Sequence, residues 1–268
     1  MKFSDTWTGN WQNAIRGLRH PMESYNRSDS EFGITSVDFL PDECESVVDK
    51  YIESWDKYND ERSVPNREEI TDYLCDNGWT SYYPKNDEYE YAFLGPNDID
   101  LAKRMIAAGT PNDKFLRQIF VSVDITAPLF WWKEADTYKV GTTANSTSTM
   151  HKITSKPITL DCFEIGDLNE WIELNGEPLS NYFEQIIKFC EDLRQKYLET
   201  KDIRYWKELI RWLPESWLQT RTWTANYAVL RNIIHWRSNH KLDEWKQFVN
   251  WCKTLPYNKE LLFYHNKI

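Results

Sequence analysis

The sequence is short of the residues that mark most catalytic and metal-binding chemistry. It has no Gly-x-Ser-x-Gly elbow and no glycine-rich phosphate loop, which removes the common signatures of serine hydrolases and P-loop nucleotidases. Its five cysteines, Cys44, Cys75, Cys162, Cys190 and Cys252, are scattered, odd in number and never spaced as a CxxC pair. That pattern argues against a zinc ribbon or a disulfide scaffold and for a reduced, cytoplasmic protein. The five histidines are dispersed, and His235 and His240 are five apart rather than the four that places two ligands on one helix face. No metal site is expected. Nine glycines and 11 prolines in 268 residues exclude a collagen-like or low-complexity chain. No apolar run reaches membrane-span length, and the first residues lack the apolar core of a signal peptide. Basic charge is also in deficit: 32 Lys and Arg against 42 Asp and Glu leave −10. A surface of that sign repels phosphate backbones, so general nucleic-acid binding is not expected.

Aromatic residues are what the chain has in excess: 14 Trp, 15 Tyr and 12 Phe. Helical spacing of apolar residues predicts helices over 46–61, from Pro96 to a stop at Gly109, and from Leu179 through two stripes. One stripe is Phe183, Ile186, Ile187, Cys190, Leu193 and Tyr197; the other is Tyr205, Leu209 and Trp212. Asn66 with Glu69 three residues on reads as a capping box. Ile119, Val121, Val123 and Ile125 alternate with polar residues, as a half-buried strand does. Pro128 then opens a short aromatic helix to Ala135. Residues 77–87 read as a polar loop and 151–163 as an extended edge. Trp217 to Arg237 reads as one long helix, followed by a last helix from Leu242 to Trp251. With no repeat and no Gly/Ser linker, a single domain is expected.

Between the aromatic helix and His151 lies a run of eight residues, Thr142 to Thr149, all small or carrying hydroxyl or amide groups. Such side chains bury little apolar surface and compete with the backbone for hydrogen bonds. Beside a buried element, they suit a segment that wraps a polar ligand. A second block brings Leu213, Pro214, Thr224, Asn226, Leu230, Ile233 and Arg237 together. As one helix, it would place Asn226, Leu230, Ile233 and Arg237 on one face. That face suits a flat polar ligand, and equally a helix with an apolar core and polar ends.

These two blocks resemble the flavin-dependent thymidylate synthases, the ThyX family, in the divergent form found in bacteriophages and prophages. Phe120 to Phe130 is similar to the family's strand ending in Ala-Pro before an aromatic helix. Leu213, Pro214, Thr224, Asn226, Leu230 and Arg237 match its later block without a gap. The resemblance spans about residues 97–255, with 1–95 a divergent N-terminal part. It implies an α+β fold: a central, mostly antiparallel sheet and a large helical C-terminal half. The family signature, Arg-His-Arg-x-x-Ser-x-x-Glu-x-Ser-x-Arg, is altered here. Its first three positions become Thr137, Tyr138 and Lys139; the next conserved positions become Thr142, Asn145, Thr147 and Thr149. Threonine for arginine removes a permanently charged, bidentate phosphate partner.

The resemblance implies nucleotide contacts from Thr142, Asn145, Thr147, Thr149 and Arg221. It implies flavin (FAD) contacts from Tyr138, Lys139, Asn226 and Arg237. Methylenetetrahydrofolate and NADPH are its implied co-substrates, a dUMP-type pyrimidine deoxynucleotide its substrate, and a homotetramer in the cytoplasm of the cell or phage host its implied state. No side chain is assigned a catalytic role, since the cofactor performs the difficult step. A second segment, Arg19 to Arg27, looks superficially like the signature but lacks the strand and Ala-Pro before it. Arg19, His20 and Arg27 are either extra phosphate contacts or a basic surface patch. Three functions stay open: a reductive one-carbon transferase, a non-catalytic nucleotide-binding or sequestering protein on the same fold, or a structural or interaction protein whose pocket has decayed.

Overall fold

A computed structural model describes residues 1–58, 66–166 and 172–265 of the chain. The N-terminal third alternates strands and helices: β1 (Lys2–Gly9), α1 (Trp11–Arg19), β2 (Glu31–Thr35), α2 (Glu45–Tyr58), α3 (Arg67–Gly78), β3 (Trp79–Tyr83), β4 (Glu88–Phe93) and α4 (Pro96–Ala108). The middle holds β5 (Phe120–Pro128), α5 (Leu129–Ala135), β6 (Thr143–Ser146), α6 (Thr149–Lys152), β7 (Glu173–Leu174) and β8 (Glu177–Pro178). The rest is α7 (Leu179–Thr200), α8 (Ile203–Trp212), β9 (Leu218–Asn226), α9 (Tyr227–Arg237) and α10 (Asp243–Cys252). Strand orders are β1-β5-β9-β6, β2-β4-β3 and β7-β8. Among the described residues, no helix is long and apolar enough to cross a membrane.

The chain divides into two compact units. One comprises residues 5–123, 138–143 and 224–268; the other comprises 1–4, 124–137 and 144–223.

In the first unit, β2 and β3 flank β4 antiparallel, with Gly33 opposite Tyr91 and Tyr82 opposite Tyr89. Cys44, Val47 and Val48 meet Ile70, Leu74 and Phe93 in a core made by α2, α3 and β4. The capping box at α3 forms as its spacing predicts: Glu69 N donates to Asn66 Oδ1 at 2.9 Å, and Asn66 N to Glu69 Oε2 at 3.0 Å. The end of the helix predicted over 46–61 lies outside the described residues. Pro96 starts α4 and Gly109, at φ 70°, closes it. The aromatic excess packs edge to face: Trp11 lies 5.3 Å from Tyr227 and 5.8 Å from Tyr257. The Tyr257 hydroxyl receives Leu94 N at 2.8 Å and donates to Ala92 O at 2.9 Å. A buried tyrosine thereby finds the polar partners its hydroxyl requires. Residues 77–87, read from sequence as a loop, contain β3. Its Trp and Tyr favour a pleated surface over a coil.

In the second unit, Ile153, Ile158 and Phe163 join Ile187, Cys190 and Leu209 of α7 and α8. Two readings of the stripes change. Ile186 and Trp212 point outward, 40% and 58% exposed, and Phe189 packs on Trp212 beside them. Residues 151–163 are not an extended edge: α6 and a short 3-10 turn at Leu160–Cys162 occupy them, and Phe163 alone bridges to Trp217. The backbone after β5 turns into α5 with Leu129 N donating to Trp217 O and Phe130 N to Glu215 O, both at 3.1 Å.

The largest correction concerns residues 217–237. They form β9 followed by α9 instead of one helix. Thr220, Thr222, Trp223 and Thr224 are β-branched or aromatic, and β-branched side chains lose χ1 freedom in a helix. The strand ends where Asn226 caps α9, its Oδ1 receiving Val229 N at 3.0 Å. Ile119, Val121, Val123 and Ile125 are fully buried, as their alternation predicts.

Candidate functional site

The polar run leaves α5 and passes through β6, whose four residues are all exposed. The sequence-predicted residues fall into two clusters, one in each unit.

The first cluster centres on Arg221. On β9, Gln219 and Arg221 are two apart and share a strand face. Arg221 Nε donates to Gln219 Oε1 at 2.9 Å, and Nη1 to Asp136 Oδ1 at 2.8 Å. The guanidinium lies 4.2 Å from the ring centre of Trp132, within cation–π range. With Nε and Nη1 engaged and one flat face covered, Nη2 is the edge that has no partner among the described residues. The side chain is 15% exposed, so the charge is held and oriented while still reaching solvent.

Gln219 ties this cation to the polar run. Its amide nitrogen donates to Thr147 O at 2.9 Å and to Thr149 Oγ1 at 3.3 Å. Its backbone carbonyl receives Trp132 Nε1 at 3.0 Å. Thr147 is pinned further: its N–H and its hydroxyl both reach Thr220 O, at 2.9 and 3.2 Å. Asn145 is exposed on β6. Thr126 and Thr220 hydroxyls pair at 2.7 Å, and Thr222 donates to Asp124 at 2.5 Å. Thr147, Thr149 and Arg221 are therefore brought together, with Asn145 on the adjoining strand.

The second cluster joins Tyr138, Thr142, Asn226 and Arg237. Arg237, the last residue of α9, donates from Nε to the Tyr138 hydroxyl at 2.7 Å. Its guanidinium lies 4.9 Å from the Trp245 ring and 5.5 Å from that of Tyr138. The Thr142 hydroxyl donates to Tyr138 O at 2.6 Å, closing the turn. Gly141 sits at φ +81°, and a Cβ there would stand 3.0 Å from Val229 Cγ2 and 3.2 Å from Asn226 Nδ2. Only glycine combines that backbone with so close an approach to the start of α9. Asn226 is nearly buried; its Oδ1 is committed to the cap. Lys139 is exposed on the turn.

Sequence reasoning missed Trp132, Asp136, Gln219 and Trp245. Trp132 and Asp136 are four apart, a signal available on α5. The Gln219–Arg221 pair has period two, which a helical reading of 217–237 conceals. The Arg19 segment is no surface patch at its first residue: Arg19 is 4% exposed and ion-pairs with buried Asp98. His20 and Arg27 are exposed, and His20 Nδ1 lies 2.5 Å from the Tyr25 hydroxyl.

No protein-family model matches the sequence, and no curated protein matches it. Solved structures do. The thymidylate synthase ThyX of Helicobacter pylori, crystallised with FAD and dUMP, superposes with a TM-score of 0.54 at 13% identity, covering 98% of this chain and 97% of that one. A second structure of that enzyme, described as flavin-dependent and also complexed with FAD and dUMP, gives a TM-score of 0.47 at 14% identity over 89% of this chain and 99% of the other. A UMP/dUMP methylase, PolB of Streptomyces cacaoi, bound with 5-Br UMP, gives 0.48 at 14% identity over 65% and 85%. The first of these carries the fold comparison: the chain has the α+β fold of ThyX along nearly its whole length.

Proposed function

We propose that this protein binds a pyrimidine deoxynucleotide of the dUMP type together with FAD and catalyses a reductive one-carbon transfer to the pyrimidine. The observation that carries the reading is Arg221, oriented on Trp132 and linked through Gln219 to Thr147 and Thr149, on a fold shared end to end with a protein crystallised with FAD and dUMP. A guanidinium with one free edge fits a phosphoryl oxygen. The neighbouring Thr149 hydroxyl and Asn145 amide supply further donors. In the other unit, the aromatic and amide groups of Tyr138 and Asn226, with the cations Lys139 and Arg237, fit the mixed apolar and polar edge of a flavin. Bound flavin would supply hydride, with methylenetetrahydrofolate as the carbon source and NADPH as reductant. The protein's own task is then to bind, orient and exclude water.

A second reading, nucleotide binding without catalysis, is favoured by one specific observation. Thr137, Thr142, Thr147 and Thr149 are neutral, so Arg221 faces a phosphate dianion with no second arginine from the polar run. A single experiment separates the two. The purified protein is melted alone, with FAD, with dUMP and with both, and flavin absorbance is recorded after gel filtration. Ligand near 100 times its Kd adds about 2.7 kcal/mol to stability. Shifts with both ligands and retained flavin support the enzyme. A shift with dUMP alone supports the binding protein. No shift with dUMP refutes both.

A further inference from the structure

Within the unit formed by residues 5–123, 138–143 and 224–268, a cleft of about 450 Å³ lies between α1 and the segment leading into β2. Arg16, Arg19, Tyr25, Ser28, Ser30 and Glu31 line it. Arg16 and Arg19 are three apart on α1 and so project to the same side. Arg19 Nε donates to Asp98 Oδ1 at 2.7 Å. Asp98 is fully buried and also receives Ser28 Oγ at 2.8 Å, Ser30 Oγ at 2.7 Å and Asp29 N at 3.2 Å. Three of these donors fall on Oδ2, and Arg19 meets Oδ1 through Nε alone. Arg19 Nη2 is buried with no hydrogen-bond partner.

An unpaired charged donor in a buried position is costly. It lies here in a side chain that lines an open cleft. Arg16 stands on the cleft wall with Nη2 given to Asn13 Oδ1 at 2.8 Å, which leaves its other guanidinium donors available. The two serine hydroxyls have spent their protons on Asp98, and Ser30 Oγ already receives Gly95 N at 3.0 Å, so toward the cleft they offer only their remaining lone pairs. Glu31 adds a carboxylate. Cationic donors and a set of acceptors thus share one cleft.

We infer that this cleft is a second ligand site, independent of the proposed nucleotide site, which takes a small molecule bearing an oxyanion, a carboxylate or phosphoryl group, on Arg16 and Arg19. The acceptors Ser28, Ser30 and Glu31 receive hydrogen-bond donors elsewhere on the same molecule. Glu31 disfavours a ligand that is anionic throughout.

The test melts the full chain in sodium phosphate, sodium acetate and sodium chloride at matched ionic strength. The expected result is a saturable rise in Tm with phosphate or acetate beyond that with chloride. Arg16→Ala, at an exposed position, folds normally and raises the half-saturating concentration about tenfold, the loss of one charge-assisted contact. Arg19→Lys keeps a cation for Asp98 but removes the unpaired nitrogen, and loses the response. A response to phosphate alone assigns a phosphoryl ligand, and to acetate alone a carboxylate. No rise beyond chloride, or a rise unchanged in Arg16→Ala, overturns the inference. Arg221→Ala weakens the response to dUMP but leaves the part of the phosphate and acetate response that Arg16→Ala weakens, so failure of one site is separable from failure of the other.

Discussion

Arg237→Ala tests whether the α9 terminus is held by its own side chains before any ligand arrives. The substitution removes the 2.7 Å bond from Nε to the Tyr138 hydroxyl and the packing of the guanidinium on Trp245, which is fully buried, and on Tyr138. A hydrogen bond from a charged donor contributes about 1.5–3 kcal/mol, with the low end appropriate to a half-buried arginine. A cation over an aromatic face at a partly exposed site adds about 0.5–1 kcal/mol. The expected loss is about 2–3 kcal/mol. At this chain length, about 2–4 °C of Tm accompanies each kcal/mol, so the ligand-free protein should melt roughly 5–10 °C lower.

Calorimetry or a dye melt without nucleotide or flavin reads this directly. Arg237→Lys keeps the charge but not the planar fork, and should recover less than half of the loss. Tyr138→Phe removes only the acceptor, and a double-mutant cycle with Arg237→Ala should return a coupling of about 1–2 kcal/mol. An apo Tm for Arg237→Ala within 1 °C of wild type, roughly the error of such a melt, would falsify the anchoring argument. It would leave Arg237 available to a ligand instead.

Three further outcomes follow from the same geometry. Asp98→Ala strands the Arg19 charge in the interior and should lower stability by about 3–5 kcal/mol in urea titration, while Arg19→Met with Asp98→Leu should recover only the part due to that charge, because Ser28, Ser30 and Asp29 N still lose their acceptor. Asn226→Ala deletes the α9 cap and should cost about 1 kcal/mol; Asn226→Asp, which can still accept from Val229 N, should cost less. Bidentate Arg194, with Ile158 N and Gln195 adding hydrogen bonds, holds the Glu191 carboxyl down to about 2 from an ordinary 4.5. A depressed folded pKa stabilises above the unfolded value and fades as pH falls toward the folded one. The stability gap between wild type and Glu191→Gln should therefore be flat from pH 7 to about 5 and shrink steadily toward pH 3, followed by urea midpoints; a gap that widens on acidification would contradict the pairing.

What the sequence makes legible is what neighbouring residues decide among themselves. The alternation from Ile119 to Ile125, the Asn66–Glu69 cap and the stop at Gly109 are all local, and each stands as its spacing predicts. The β9 strand is not local in this sense. Its three alternate threonines carry no apolar face of their own, and an authentic helix begins at Tyr227, so one helical period absorbs both. Arg19 and Asp98 are 79 residues apart, and Gln219 reaches Thr147 across 72. No spacing rule joins such pairs. The same distance hides Gln219, which has no distinguishing neighbour in the chain yet holds both the cation and the polar run.

Once those long-range bonds are counted, the polar run offers less to an anion than its composition promises. A threonine hydroxyl has one proton to give. Thr142 gives its proton to Tyr138 O and Thr147 to Thr220 O, and the Thr147 N–H is spent on Thr220 as well. Thr149 differs: its oxygen accepts from Gln219, which leaves its proton free. Within that unit, the donors left to meet a phosphate among the residues the family resemblance singles out are the Arg221 Nη2 edge, the Thr149 hydroxyl and the exposed Asn145 amide. Three donors with a single formal charge bind a dianion more weakly than an arginine cluster does, and they depend on Gln219 to keep Arg221 and Thr149 in register. Gln219→Ala should thus weaken dUMP binding although Gln219 need not touch the nucleotide, and Gln219→Glu, which keeps the bond to Arg221 Nε but cannot donate to Thr147 or Thr149, should restore only the part of the affinity that Arg221 orientation provides.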